Sequence, residues 1–259
     1  MNLTEQLVSY ILSAMLSWVP LGNQFERGHD GQWLRDTKGY YVKEDGEEAY
    51  ARYKATAEAI VDIALDDSNP SLFVGADGRV KTALQIASIA SFEGGFHKWV
   101  ENGDCNTPIW KLHHEQECDG GSAFTNWQIH VYGYVIFHGE LQQSQYLPRE
   151  YMKEHQDDVI TGKKLIDDQR LAVQVAYYLI RYSTHSFHTL CAYTGEACTG
   201  SHPKANERMA RAIDYMRKHP FVYIEPAPPP ADLLHTFSDM LRGSVAFEVP
   251  AFRGQLLLN

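Results

Sequence analysis

The chain has 259 residues, 44% of them hydrophobic, which is enough for one sizeable core or two modest ones. Its formal net charge of −10, from 33 acidic and 23 basic residues, argues against nucleic acid as a partner, because a nucleic-acid backbone is bound through clustered Lys and Arg. No hydrophobic run approaches the roughly 18 to 20 residues needed to cross a bilayer, so no membrane span is expected.

Leu3 to Val19 reads as a core or interface helix. Its one charge is Glu5, and it lacks the basic start and small-residue cleavage site of a secretory signal. Pro20 and Gly22 end it. Residues 31–46 are polar and punctuated by Gly, which predicts a loop or short hairpin, so that residues 1–46 form an N-terminal helix and loop. No internal repeat is evident. A second helix is expected over Glu47 to Leu65, where Ala57, Ile60, Val61 and Ala64 follow the helical spacing. The clearest helix is Thr82 to Phe92. Ala83, Ile86, Ala87 and Ala90 share one face, Asp77 or Thr82 stands at the start, and Gly94 and Gly95 stop it.

Residues 97–122, rich in Gly, Asn, Asp and Cys, read as loop. A long helix comes next, from about Asp167 to Tyr182, with Leu171, Val175, Tyr178 and Leu179 on one side. Another runs from Pro203 to Lys218, with Met209, Ile213 and Met216 expected inward. Residues 47–223 thus form the main domain. Residues 224–231 are an extended Pro-rich linker, and the tail 232–259 is too short for a core of its own. That tail either packs back on the domain or docks on a partner.

Cys105, Cys118, Cys191 and Cys198 fall in two pairs. Four cysteines allow three connectivities, of which local pairing is the simplest; the alternative is four reduced thiols. Disulfides would favour an extracellular or virion setting. His113, His114, Glu115, Cys118 and Asp119 are metal-donor types, but no H-E-x-x-H or C-x-x-C spacing occurs, and neither a metal nor a cofactor is expected.

Glu93 is the candidate for chemistry. It lies seven residues after Ile86 and three after Ala90, so it continues the apolar stripe of its helix. Partial burial and the negative end of the helix both favour the neutral acid, which is the form that can protonate a glycosidic oxygen. The two following glycines would leave room for a polymer to approach.

The segment Asp119-Gly-Gly-Ser122-Ala-Phe-Thr-Asn-Trp127-Gln128-Ile-His130 resembles the glycine-rich stretch of goose-type lysozymes and lytic transglycosylases, where it comes after the catalytic Glu helix. Ala87-Ser-Ile-Ala-Ser-Phe-Glu93-Gly-Gly-Phe is similar to the end of that helix, and Leu190-Cys-Ala-Tyr193-Thr-Gly195 to the family's Tyr-x-Gly element. The three stand in the family's order, and the resemblance covers roughly residues 80–217. Gly94 departs from the usual Ser, Thr194 from the usual Asn, and the stretch between Glu93 and Gln128 is long.

The resemblance implies a mainly α (α+β), lysozyme-like fold with a small β or irregular lobe around 97–135. It implies cleavage of peptidoglycan glycan strands at the β-1,4 bond between N-acetylmuramic acid and N-acetylglucosamine. Glu93 would be the acid; Gln128, Tyr193, Trp127 and Ser122 would bind the sugar, with Phe96 or Trp99 as further flat faces. Hydrolysis with inversion needs a second carboxylate. Asp119 stands where goose-type lysozymes carry one; Asp104, Glu101 and Glu117 are alternatives. Transglycosylation needs none. The long loop and cysteine pairs also resemble lysozyme-like proteins of phage particles. Since anionic walls repel an acidic chain, delivery to the cell envelope by a virion or another assembly is expected. The rival expectation is a catalytically weak structural component of a phage particle, which an ion pair from Glu93 to Arg79 or Lys98 would favour.

Overall fold

The structure is a computed structural model in which residues 1–225 are described. The chain divides into Met1–Tyr223 and Ile224–Asn259. Except for Ile224 and Glu225, the expected linker and tail lie outside the described residues.

The Met1–Tyr223 unit is mainly helical, with two small antiparallel sheets. The long helices are α1 (Leu3–Trp18), α2 (Gly46–Leu65) and α3 (Gly78–Glu93). Short helices α4 (Lys98–Glu101), α5 (Pro108–His113) and α6 (Cys118–Gly121) occupy the segment read as loop. Strands β1 (Ala123–Phe124) and β2 (Ile129–His130) pair with each other, as do β3 (Tyr134–Phe137) and β4 (Glu140–Gln143). The unit ends in α7 (Arg149–Glu154), α8 (Gly162–Asp167), α9 (Gln169–Phe187) and α10 (Pro203–Lys218).

Local chemistry explains where the helices begin. Asn2 and Glu5 form a reciprocal capping box on α1, Asp45 accepts from two backbone N–H groups of α2, and Asp168 caps α9. Leu7, Ile11, Leu12, Ala14 and Met15 bury α1 in the core.

α3 is the centre of the fold. Its sequence suggests one apolar face, yet every residue from Thr82 to Ser91 is buried, because α1, α2, α9 and α10 all pack against it. Small side chains permit that approach, and its polar groups find partners inside. Ser88 Oγ (2.8 Å) and Gln85 Nε2 (3.3 Å) both donate to the backbone carbonyl of Arg208 in α10, and Arg211 Nη1 donates to Ser91 Oγ at 2.7 Å. The register of α10 on α3 is thereby set by polar contacts. α10 turns Ala205 and Ala212 to the core with Met209 and Met216 alongside, while Ile213, expected inward, is 59% exposed. The helix orientation that buries Ala205 and Ala212 carries Ile213 out.

Residues 24–44 hold an unexpected feature. This segment, which includes most of the stretch 31–46 expected to be a loop or short hairpin, is a closed ring of two eight-residue repeats (24–31 and 32–39) and the first five residues of a third (40–44). Phe25, Trp33 and Tyr41 occupy equivalent places, as do Arg27, Arg35 and Lys43. The β-bridges run cyclically, Arg27 to Trp33, Arg35 to Tyr41, and Lys43 back to Phe25. Backbone hydrogen bonds repeat the cycle. Gly28 N–H donates to Gln32, Asp36 to Tyr40 and Glu44 back to Gln24, while Leu34 donates to Glu26, Val42 to Leu34 and Glu26 to Val42. The three aromatic rings meet with centroids 6.1 to 6.3 Å apart, edge to face. Gly31 and Gly39, equivalent positions with φ of 80° and 85°, supply the left-handed turns between repeats. The period escapes inspection because only the aromatic and basic positions recur in all three repeats, while Gln24 and Gly31 recur once each, at Gln32 and Gly39.

Candidate active site

Glu93 ends α3, where Gly94 closes the last turn through its N–H bond to the Ala90 carbonyl. A Cβ on Gly94 would lie 2.5 Å from Asn126 Cα and 2.8 Å from the Asn126 carbonyl oxygen. The space that Gly94 leaves is therefore filled by the chain just before Gln128, contrary to the expectation of room for a polymer. The glycine brings the second motif against the end of the first.

The third motif joins at the same place. Tyr193 donates its hydroxyl to the Trp127 carbonyl at 2.6 Å. Burial, and then the charge of Glu93, push the Tyr193 phenol well above its ordinary value, with Arg208 opposing. Its loop is closed by the Cys191–Cys198 disulfide. The same loop carries Glu196, whose two carboxylate oxygens accept from the backbone N–H groups of Lys204 (3.1 Å) and Ala205 (2.9 Å) at the start of α10. Glu196 thus seats the helix that carries Arg208.

Arg208 is the residue that sequence reasoning missed. Its Nε donates to Glu93 Oε1 at 2.6 Å, and its Nη1 to the Lys204 carbonyl at 3.1 Å. The Glu93 and Arg208 side chains are 21% and 12% exposed. Among the described residues no hydrogen bond reaches Glu93 Oε2. Arg79 and Lys98, the other cations weighed as partners of Glu93 on sequence, are engaged elsewhere: Arg79 donates to the Ala64 and Asp66 carbonyls, and Lys98 pairs with Glu26 and Glu48. A basic residue 115 positions away leaves no local signature, and the helical pattern of α10 does not say which residue faces α3.

Trp127 does not offer a face to a sugar. It is 1% exposed and its Nε1 donates to the Ile86 carbonyl at 3.0 Å. Exposing it would cost about 2 to 3 kcal/mol of burial besides that bond. Phe96 is likewise fully buried, against Tyr53. Trp99 stacks between His97 and Trp110. Tyr193 has its hydroxyl turned into the protein, which leaves part of the ring as the surface it can offer. Gln128 is half-buried at a φ of 47°, its Nε2 donating to the Thr125 carbonyl at 3.1 Å.

Asp119 and Ser122 lie at α6, where Cys118, Asp119, Gly120 and Gly121 all have positive φ. The Cys105–Cys118 disulfide pins this turn, and the Asn106 side chain donates to the Gly121 and Ala123 carbonyls. Non-glycine residues in this conformation cost on the order of 1 kcal/mol each and persist where surroundings over-determine them. Ser122 Oγ donates to the Asp119 carbonyl at 2.7 Å. Asp119 is exposed, with His130 Nε2 at 2.9 Å from Oδ2. Cys118, being in the disulfide, is not available to a metal-donor cluster with His113, His114 and Glu115.

Of the alternative second carboxylates, Glu101 and Glu117 are occupied and Asp104 is half-buried. Glu101 receives Arg52 (2.9 Å) and Gln169 (2.6 Å) in the interior, and burial lifts its carboxyl above the usual range while Arg52 opposes. Glu117 accepts from Arg27 and from Trp110 Nε1. Asp104 faces His29, Lys98 and Glu26, and burial raises its carboxyl. Asp119 is the most exposed member of this group, with His130 as its one side-chain partner among the described residues.

No protein-family model, curated protein or solved structure matches this chain.

Proposed function

We propose that this chain is a peptidoglycan-cleaving muramidase with a lysozyme-like fold, cutting the β-1,4 bond between N-acetylmuramic acid and N-acetylglucosamine with Glu93 as general acid. One observation carries the reading. The end of the Glu93 helix, the segment before Gln128 and the Tyr193 loop are separate in sequence, and they meet at one partly exposed point through Gly94 and the Tyr193–Trp127 hydrogen bond. Order in sequence and meeting in space are independent facts.

In the resting arrangement Oε1 belongs to Arg208, whereas a proton donor must be neutral. Glu93 therefore has to take a proton from solvent and give up the Arg208 Nε bond before a sugar closes the site; Arg208 keeps its Nη1 bond to the Lys204 carbonyl when it does so. Gln128 and the open part of Tyr193 position the sugar. Asp119, oriented by His130, is the base for water in a hydrolytic route; in a transglycosylation route the sugar's own 6-hydroxyl attacks and Glu93 serves as acid and then as base. Delivery by a virion or another assembly suits the net charge of −10.

A second reading is a catalytically weak structural component of a particle. The Glu93–Arg208 ion pair favours it, since it ties α3 to α10 as a structural contact would. Muropeptide mass spectrometry on digested peptidoglycan, beside Glu93→Gln, separates the readings. Anhydro or reducing ends released by the parent alone support the enzyme; no release by either supports the structural role.

A further inference from the structure

The ring of three repeats takes no part in the chemistry at Glu93, yet it docks directly behind it. Gln24 Nε2 donates to the Gly95 carbonyl at 3.1 Å and to Tyr53, and Gln24 Oε1 meets His97 Nδ1 at 2.9 Å. Arg52 bridges Glu44 of the ring to the Phe96 carbonyl. The ring is thus bound to the chain that immediately succeeds Glu93.

Its outer surface combines flat rings with cations. Trp33, Tyr40 and Tyr41 are 39%, 70% and 48% exposed. Arg27 lies over one face of Trp33 at 3.8 Å, and Arg35 over Tyr41 at 4.2 Å while donating to its hydroxyl. These contacts, with the closed backbone cycle, hold the Trp33 and Tyr41 rings before any ligand arrives, so their binding costs little in ordering. Residues 24–44 contain four acidic residues (Glu26, Asp30, Asp36, Glu44) and four basic ones (Arg27, Arg35, Lys38, Lys43), a net charge of zero in a chain of −10. Glu26, Glu44 and Arg27 are spent on Lys98, Arg52 and Glu117. Asp30 and Asp36 accept backbone N–H groups of their own turns. Among the described residues Arg35, Lys38 and Lys43 have no carboxylate partner, and Asp30 and Asp36, bonded only to backbone amides, keep their charge, so the unpaired groups of the ring are three cations against two carboxylates.

We propose that the ring of residues 24–44 is a binding platform for an anionic glycan strand, holding sugar rings on Trp33, Tyr40 and Tyr41 and carboxylates on Arg35, Lys38 and Lys43. The axial C–H faces of a sugar pack on an aromatic ring, while the cations meet the lactyl and peptide carboxylates of a wall polymer. A protein partner would call for a contiguous apolar centre depleted of charge; here each exposed ring lies two residues from a cation. The identification of the glycan as peptidoglycan rests on the proposed muramidase function, whereas the platform does not depend on Glu93.

The test is co-sedimentation of the full chain with purified sacculi, in the Glu93→Gln background so that the wall is not consumed, over a range of salt. Tyr40→Ala, the most exposed ring, and Trp33→Ala should each weaken binding about tenfold. Combined Arg35→Gln, Lys38→Gln and Lys43→Gln should weaken it at low salt and flatten its salt dependence. Far-UV circular dichroism verifies folding; Tyr40→Ala and the charge variant keep the test sound if loss of the Trp33 stack unfolds the ring. Unchanged binding by both overturns the platform. Ring-dependent binding without muropeptide release by the Glu93 parent overturns the catalytic reading alone, and release with ring-independent binding overturns the platform alone.

Discussion

Glu93→Gln tests activity and stability together, because Glu93 is both the proposed acid and half of an ion pair. The pair is 21% and 12% exposed. That places it between surface pairs, worth about 0 to 1 kcal/mol, and buried ones, whose breakage costs about 3 to 5 kcal/mol. Glutamine keeps an oxygen for Arg208 Nε but removes the charge, and Arg208 retains the Lys204 carbonyl. We expect a loss of about 1 to 2 kcal/mol, or roughly 2 to 8 °C in Tm for a domain of this size. Turnover should fall by about a hundredfold to ten-thousandfold, the usual contribution of general acid catalysis. Thermal unfolding and muropeptide release are measured on one preparation, with Arg208→Met completing a double-mutant cycle in which a coupling of about 1 to 2 kcal/mol is expected. Retained turnover refutes the catalytic assignment. An unchanged Tm with zero coupling refutes the energetic role given to Arg208.

Gly94→Ala should destabilise by about 1 to 3 kcal/mol and impair activity, since its Cβ would stand 2.5 Å from Asn126 Cα; chemical denaturation would show no change if the two segments were loosely packed. Removing the Cys105–Cys118 disulfide, which spans 13 residues, by paired serine substitution should cost about 3 kcal/mol. It should also release the α6 turn to limited proteolysis, and resistance equal to that of the parent would contradict the pinning role of the bridge. His97 supplies a pH prediction. Burial, and then the charges of Arg27 and Arg52, push its pKa down from 6.5 to about 4. A folded value below the unfolded one means that the neutral ring contributes stability above pH 6.5. That contribution is lost as pH falls from 6.5 towards 4, by on the order of 3 kcal/mol. Tm measured across that window should flatten in His97→Gln, and an identical slope in both proteins would show that other groups carry the acid sensitivity.

Much of the helical framework is legible in the sequence. Ala57, Ile60, Val61 and Ala64 mark α2, and Pro203 marks the first residue of α10, because periodicity and capping are local properties. The cysteine pairing obeys the same local logic. Residues 97–122 are harder to read, since α4, α5 and α6 are too short to show a period and depend on the small core of Val100, Cys105, Trp110 and Cys118.

By itself, then, the sequence determined a mainly helical chain, the position of Glu93 at the end of its clearest helix, and the order of the three motifs around it. Tertiary structure alone decided how those residues are used. Enclosure of α3 by its neighbouring elements buried Trp127 and turned Ile213 outward. Packing of α10 delivered Arg208 to Glu93, and cyclic hydrogen bonds made residues 24–44 a ring. Each of these is a contact between residues distant in the chain or a match between weakly similar octads. Side-chain periodicity reports which face of an element is apolar, and says nothing of which partner that face will meet.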